Sequence, residues 1–158
     1  MLMLREMLKR HEGLSLKPYL CSRVHMTIGW GWNLDAHALP VDIAACLRVT
    51  GSITEAMAER LLNISITNAT DDCRAIYPGF DKLSEPRRFG LIDFMFNLGV
   101  TKILHKFPAF YSAACHHDWN RAADEMQYTD GLKKDQLSDY WKQTKGRAVE
   151  IVGMIREG

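Results

Sequence analysis

The chain of 158 residues is 47% hydrophobic and 25% charged, which is ordinary for one globular domain with its own core. Its 20 basic and 19 acidic side chains give a net charge of +1 and are spread evenly, so no basic stretch of the kind that binds nucleic acid is present. No run of about 18 apolar residues exists and charged residues interrupt any signal peptide, so we expect no stable membrane association and a protein that stays in the cytoplasm.

The first predicted elements are an amphipathic helix and a small sheet. One face of the helix is indicated by four side chains at helical spacing: Leu4, Met7, Leu8 and His11. Gly13 predicts the end of this helix. Residues 14–34 change period, with strand-forming side chains on both sides of a turn at Cys21-Ser22-Arg23. This pattern predicts a small, strongly bent antiparallel sheet.

From Pro40 onward the pattern is helical. Pro40 suits the start of a short helix through Arg48. Ser52 and Glu55 have the spacing of a capping box, which predicts a longer helix running toward residue 76.

Three further helices are predicted by their caps and their apolar pattern. Ser84 suits the cap of a helix that is apolar on nearly every side, which predicts the hub of a helical lobe, and Gly99 predicts its end. Asp118 and Thr144 suit the caps of two later helices.

These elements predict an α+β protein that is mainly α. We expect a single domain over residues 1–158, with a β-containing lobe at about 14–50. A larger all-helical lobe, at about 80–158, also takes the N-terminal helix. A connecting helix joins the lobes, and a cleft between them is where a ligand site is expected.

The candidate chemistry is concentrated near the N-terminus. Glu12 lies beside Leu8 at the edge of the apolar stripe and at the helix C-terminus; both positions disfavour the anion, so we expect a raised pKa that suits a general acid. Thr27 precedes two glycines two residues apart, which let a ligand approach, and its hydroxyl can hold a water. The alternatives are an exposed glutamate in a last helical turn and a β-branched strand residue.

The cysteines and histidines do not have the spacing of a metal site. Four cysteines lie far apart in the sequence: Cys21, Cys46, Cys73 and Cys115. Cys46 and Cys73 fall in apolar helical patterns typical of buried free thiols. We therefore expect no metal.

Glu12, eight residues, Cys21, five residues and Thr27 resemble the active-site signature of the phage lysozyme family (glycoside hydrolase family 24), in which Asp or Cys stands between Glu and Thr. Three further segments resemble this family, at residues 7–14, 91–99 and 143–148, so the resemblance covers residues 2 to 150.

The resemblance implies a lysozyme-like fold and an endolysin muramidase. Such an enzyme would hydrolyse the β-1,4 bond between N-acetylmuramic acid and N-acetylglucosamine in peptidoglycan glycan strands. Glu12 would protonate the leaving oxygen, and a water held by Thr27 and Cys21 would attack from the opposite face, giving inversion. No cofactor is implied. We expect a monomer that lyses the host after a separate holin releases it.

Cys21 stands where much of the family has Asp. An inverting glycosidase needs an acid and a base across about 6.5–9.5 Å, and a neutral thiol, with a pKa of about 8.5, is a poor base. Arg23 or His25 can lower that pKa if they lie within a few ångströms. The sequence leaves both roles open, base or orientation of the water.

Further residues are predicted to support the site. Asp93 and Asn97, four apart on one helix face, are implied to brace Glu12, the alternative being a solvent strip. Arg147 resembles the family arginine near the catalytic glutamate. We expect substrate contacts at Trp30, Asn33 and Phe96, with Trp30 or Trp32 suited to stacking on sugars. Trp32 replaces a polar residue that is frequent in relatives, so a contact bracing the sheet is expected to be lost.

Two other functions stay open. A lytic transglycosylase needs only the acid and leaves 1,6-anhydro ends, and Cys21 in place of Asp keeps this reading open. The other open function is a peptidoglycan-binding module that does not hydrolyse its ligand. The intact Glu12 argues against this function.

Overall fold

The computed structural model describes residues 2–21, 24–128 and 136–158. In these ranges the chain forms eight helices and a sheet of three short strands, in the following order: α1 (Leu2–Glu12), β1 (Ser15–Leu20), β2 (Met26–Gly29), β3 (Trp32–Asn33), α2 (Val41–Thr50), α3 (Glu55–Ile76), α4 (Glu85–Lys106), α5 (Pro108–Cys115), α6 (Trp119–Gln127), α7 (Asp139–Thr144) and α8 (Gly146–Glu157). A 3₁₀ turn, Phe80–Lys82, precedes α4. The predicted α+β, mainly α class is confirmed.

The chain divides into two compact units, Met1–Thr67 and Asn68–Gly158, called here the first and second units. The first unit contains α1, the sheet, α2 and the start of α3. The second contains the end of α3 and the helices from α4 to α8. Helix α1, which the sequence pattern assigned to the helical lobe, falls in the same unit as the sheet. The predicted lobe boundaries stay a prediction.

Helix α1 has the predicted buried face. Leu4, Met7 and Leu8 are buried, which confirms the helical spacing. Gly13 ends the helix with a φ of 69°, and its backbone N–H donates to the carbonyl of Lys9 at 3.0 Å. A left-handed residue that closes a last turn in this way is the usual glycine stop signal.

The sheet is antiparallel in the order β1-β2-β3, as predicted. Thr27 on β2 stands opposite Tyr19 on β1 and Asn33 on β3, while Ile28 stands opposite Trp32. Successive side chains on a strand point to opposite faces. Ile28 and Trp32 therefore share the face that packs on the core of the first unit, and the other face carries Tyr19, Thr27 and Asn33.

Helices α2 and α3 each begin directly after a residue that suits a helix start. Pro40 is the N-cap of α2, and Gly51 ends that helix with a φ of 72°. The predicted capping box was wrong: Thr54, not Ser52, precedes α3, and its Oγ1 accepts the backbone N–H of Met57 at 3.2 Å. Ser52 is instead held in the turn after α2, where its carbonyl accepts the Thr50 hydroxyl at 2.7 Å.

Helix α4 is the buried helix of the second unit. Most of its first half is buried, and the Phe94 ring meets the rings of Phe110 and Tyr140 edge to face, at 4.9 Å between centroids in each pair. Gly99 leaves helical geometry, with φ 74° and ψ 161°, but the helix resumes and runs to Lys106. The predicted end at Gly99 is therefore a kink, because a glycine can adopt positive φ inside a helix without a side-chain clash.

The later helices confirm one predicted cap and correct another. Asp118 caps α6 by accepting the backbone N–H of Arg121 at 3.2 Å. Thr144 does not cap α8; it is the last residue of α7, and its hydroxyl donates to the Tyr140 carbonyl at 2.7 Å. Ser138 caps α7. Within the described ranges, no helix combines the length and the apolar character needed to span a bilayer.

Candidate active site

Glu12 is the last residue of α1, and its half-buried carboxyl lies against the turn between β2 and β3. Gly31 in that turn has a φ of 80°, and a Cβ placed on it would lie only 2.7 Å from Glu12 Oε2. The sequence pattern of two spaced glycines predicted a close approach at this point. The structure identifies the group that approaches Gly31 as the Glu12 carboxyl.

Thr27 lies in the middle of the sheet and is only 5% exposed. Its hydroxyl donates to the backbone carbonyl of His25 at 3.1 Å. A hydroxyl that donates one hydrogen bond keeps its lone pairs, so Thr27 Oγ1 can still accept a hydrogen bond from a water. This fixed rotamer suits the predicted role of holding a water, which stays a prediction.

Cys21 immediately follows β1 and closes the hairpin through its backbone. Its N–H donates to the His25 carbonyl at 3.0 Å, and its carbonyl accepts the N–H of Val24 at 2.9 Å. Within the described residues, Cys21 forms no disulfide bond, and neither do the other three cysteines. The rest of the predicted turn, Ser22 and Arg23, lies outside the described residues. His25 Nδ1 lies 3.5 Å from Asp35 Oδ2, so its charge, when protonated, is shared with that carboxylate.

Tyr19 on β1 lies near Glu12, Cys21 and Thr27, although no sequence pattern marks it as a site residue. Partial burial raises the pKa of its phenol, and the negative charges of Glu12 and then Cys21 raise that pKa further. The phenol therefore lies within electrostatic range of both groups, and it stands directly opposite Thr27 in the sheet. A tyrosine in a strand gives no sequence signal of this kind, because the register of the strand decides its neighbours.

Trp30 lies in the turn between β2 and β3. The ammonium of Lys9 lies 5.4 Å from the centre of its ring, and its indole N–H is buried with no hydrogen-bond partner among the described residues. The ring also packs against the core of the first unit. Lys9 in turn pairs with Glu59 on α3. These contacts leave less of the indole face for a sugar than the sequence suggested.

The other two predicted residues of the sheet also make internal contacts. Asn33 Oδ1 accepts the backbone N–H groups of Asp35 at 2.9 Å and Ala36 at 3.2 Å, so its amide NH₂ is the group left for a ligand. Trp32 is buried in the core, and its indole N–H donates to the His37 carbonyl at 3.3 Å. That hydrogen bond supplies a polar contact where the sequence analysis expected one to be lost.

The second unit holds the predicted supporting residues. Asp93 on α4 is fully buried and pairs with Arg147 on α8, with 2.8 Å between Nε and Oδ1. A second guanidinium nitrogen donates to the Asp93 backbone carbonyl at 3.4 Å. Asp93 is therefore not part of a solvent strip. Phe96 and Asn97, also on α4, are half-buried.

No group of three or more His, Cys, Asp or Glu side chains arranged to hold a metal ion occurs in the ranges that the structure covers. The neighbouring histidines at the end of α5 make other contacts. His116 Nδ1 lies 2.8 Å from the Ser112 carbonyl, and the His117 ring stacks on Trp119.

Comparison with known proteins agrees with the residue pattern. Residues 9–156 match the family model described as phage lysozyme, and the chain therefore belongs to the phage lysozyme family. The chain is also similar to the pre-baseplate central spike protein Gp5 of Enterobacteria phage T4, at 29% identity over 168 aligned positions. That match covers 97% of this chain but only 27% of the relative, so the chain spans about a quarter of the length of this curated relative. Membership of the family supports a lysozyme-like, peptidoglycan-hydrolysing function.

Proposed function

We propose that this protein is an endolysin muramidase, which hydrolyses the β-1,4 bond between N-acetylmuramic acid and N-acetylglucosamine in bacterial peptidoglycan. The observation that carries the proposal is the Glu12 carboxyl, held against Gly31 in the same unit as Thr27 and Cys21. An inverting glycosidase requires an acid and, across from it, a group that activates a water. Glu12 is the proposed acid, and Thr27 with Cys21 is the proposed place of the water. The family match over residues 9–156 supports the same reaction class.

In the proposed reaction, Glu12 donates its proton to the glycosidic oxygen as the bond to the anomeric carbon breaks. A water that donates a hydrogen bond to Thr27 Oγ1 and is oriented by Cys21 attacks that carbon from the opposite face of the sugar ring. The water's proton is lost to solvent or to a base, and the configuration inverts. We propose that Asn33 contacts substrate and that neither a metal nor a cofactor takes part. The supporting roles of Asp93, Asn97 and Arg147, and the substrate contacts of Phe96 and Trp30, stay predictions of the sequence.

The decisive test is wall hydrolysis by the Glu12→Gln variant. Clearing of outer-membrane-stripped bacterial walls should fall by about 10²–10⁴-fold, since the amide keeps the shape but has no proton to give. Glu6→Gln is the matched control, because Glu6 lies on the same helix with an exposed side chain. It should clear walls like the wild type. Residual activity above about a tenth of wild type in a folded Glu12→Gln protein would remove Glu12 from the acid role.

A lytic transglycosylase is the second candidate, because Cys21 stands where much of the family has a carboxylate. In that reaction the substrate's own 6-hydroxyl replaces water, and only the acid is needed. Mass spectrometry of the released muropeptides separates the two, because the muramidase leaves reducing ends and the transglycosylase leaves 1,6-anhydro ends. A protein that binds walls and releases neither product would be a binding module.

The host-lysis role is proposed together with release by a separate holin and action as a monomer. The similar phage T4 protein is named as a central spike protein. A role of this chain in host lysis therefore needs its own test. The protein should accumulate in bacteria without lysing them and should lyse them when the inner membrane is permeabilised. Lysis without permeabilisation would contradict dependence on a holin.

A further inference from the structure

The sheet presents a row of three side chains on the face away from the core. Tyr19 is the antiparallel partner of Thr27, and Thr27 is the partner of Asn33. Partners in antiparallel strands have Cβ atoms about 4.5–5.5 Å apart and point to the same face. Tyr19 therefore neighbours the hydroxyl that is proposed to hold the attacking water.

The three aromatic side chains of the sheet segment differ in the surface that they leave free. Trp32 points into the core of the first unit, and Trp30 is covered by Lys9 on its ring and has a buried N–H. Tyr19 is 37% exposed. It is thus the aromatic ring of this segment that combines free surface with a place beside Thr27.

The electrostatic setting keeps this ring neutral. Partial burial raises the pKa of the Tyr19 phenol above its usual value of about 10, and Glu12 and Cys21 raise it further when they are ionised, so the hydroxyl is protonated at neutral pH. A neutral aromatic ring offers an apolar face, and the phenol adds a hydrogen-bond donor and acceptor at its edge. A sugar ring has complementary C–H and hydroxyl groups.

We infer that Tyr19 is the aromatic residue that contacts the sugar ring bound next to Glu12, a role that the sequence had suggested for Trp30. The inference rests on the proposed glycan substrate. The ring supplies the contact surface, and the hydroxyl is secondary. Tyr19 takes no part in the proton transfers.

Kinetics of three variants on soluble peptidoglycan fragments test this inference. Tyr19→Leu should raise KM about 3- to 10-fold with kcat little changed, because the contact between the ring and the sugar is lost equally in the ground and transition states. Tyr19→Phe keeps the ring and should stay within about 2-fold of wild type. Leu20→Ala is the matched control, since Leu20 lies next to Tyr19 but points to the opposite face. Its KM should not change.

A second measurement does not depend on removing the tyrosine ring. In the Glu12→Gln protein, the ring protons of Tyr19, assigned by comparison with Tyr19→Phe, should shift when a disaccharide–peptide fragment is added. An unchanged KM for folded Tyr19→Leu, or ring protons that do not respond to a saturating fragment, overturns the inference. If the wild type neither hydrolyses nor binds walls, the proposed function itself fails; normal wild-type hydrolysis with an unaffected Tyr19→Leu variant rejects the role of Tyr19 alone.

Discussion

The position of the Glu12 carboxyl depends on the absence of a side chain at residue 31. A Cβ there would meet Oε2 at 2.7 Å and the carboxyl carbon at 3.1 Å. The atoms that would be displaced belong to the end of a flexible side chain, so the carboxyl would move before the backbone did. The φ of 80° adds a second requirement for glycine, because other L-residues are strained in this region.

Gly31→Ala should therefore lose both stability and activity. We expect a loss of about 1–2 kcal/mol in the free energy of unfolding from the backbone strain. Wall clearing should fall about 100-fold, since displacing a reacting group by about 1 Å can cost that much. Gly51→Ala is the matched control, because Gly51 has a φ of 72° and no atom within 4 Å of a Cβ. It should lose similar stability and keep its activity; a Gly31→Ala enzyme of wild-type rate would show that the carboxyl is not positioned by this turn.

For Cys21 we expect orientation of the water rather than base catalysis. The imidazole of His25 lies 3.5 Å from Asp35 Oδ2, so a positive charge on it would be offset by that carboxylate and would support a thiolate less. Cys21→Ser should then work nearly as well as wild type, since both side chains are small and form hydrogen bonds. The pH–rate profiles of wild type, Cys21→Ser and Cys21→Asp are the measurement.

A base role gives the opposite pattern for the same variants. Cys21→Ser would be inactive, because a hydroxyl ionises too weakly. Cys21→Asp would be active with its acid-side limit moved downward, since a carboxylate ionises roughly four to five pH units below a thiol. That pair of results would refute orientation.

The sequence could predict the helix end near Glu12 and the turn at Gly31, because a glycine stop signal and spaced glycines are local patterns. The catalytic role of Glu12 is implied by the family resemblance and stays a prediction. It could not predict the neighbours of Tyr19. The pairing of β1 with β2 is irregular between Ser15 and Tyr19, and a slip of one residue would turn Tyr19 to the opposite face. The contact of Trp30 with Lys9 joins a helix to a turn of the sheet, so local sequence patterns could not predict it either.

At the scale of the helices, α4 and α8 are joined by a buried ion pair. Asp93 has no exposed surface, and the Arg147 side chain is 8% exposed. Burying two charges is costly, so such a pair adds little net stability, but removing one partner leaves the other charge buried. We therefore expect the pair to disfavour any packing of α4 and α8 that would separate Asp93 from Arg147.

Arg147→Met should destabilise the protein by about 3–5 kcal/mol, as measured by chemical unfolding, because the Asp93 carboxylate loses its guanidinium. The double variant Asp93→Leu with Arg147→Met should recover much of that loss. Arg156→Met is the control: Arg156 also lies on α8 and pairs with Asp124 on α6 at 2.6 Å, but both side chains are more than a third exposed. Its loss should be below about 1 kcal/mol. An Arg147→Met protein as stable as that control would contradict the argument.

Helix boundaries show where local patterns mislead. Ser52 and Thr54 both suit an N-cap, and Thr54 takes the position because the turn after α2 already uses the backbone of Ser52. Thr144 lies before a helix but ends the preceding one, which no cap rule separates from the sequence alone. Asp118 was predicted correctly because its cap is entirely local. Helix identity thus followed from apolar spacing, whereas the caps depended on neighbouring turns.

At the scale of the whole molecule, buried acidic groups link stability to alkaline pH. Cys73, near the end of α3, is fully buried, and burial followed by the charge of Asp72 raises the pKa of its thiol. Tyr77 follows one turn later, and burial raises the pKa of its phenol as well. The folded protein therefore holds these protons more tightly than the unfolded chain does. The resulting stability is complete below the unfolded pKa values, about 8.5 for Cys and 10 for Tyr, and is lost as pH rises beyond them.

The free energy of unfolding should therefore fall with pH above about 8.5, by up to about 1.4 kcal/mol per pH unit for each proton that only the unfolded chain releases. Cys73→Ala removes one such proton. Its stability at neutral pH should be lower, because a buried sulfur is lost, but its decline between about pH 9 and 10 should be shallower than that of the wild type. Tyr77→Phe should match the wild-type slope in that window and differ only above about pH 10, where the free phenol ionises. Urea unfolding of the three proteins from pH 7 to 10.5 measures these slopes. Equal slopes for wild type and Cys73→Ala between pH 9 and 10 would mean that the Cys73 thiol is not the group that couples folding to pH.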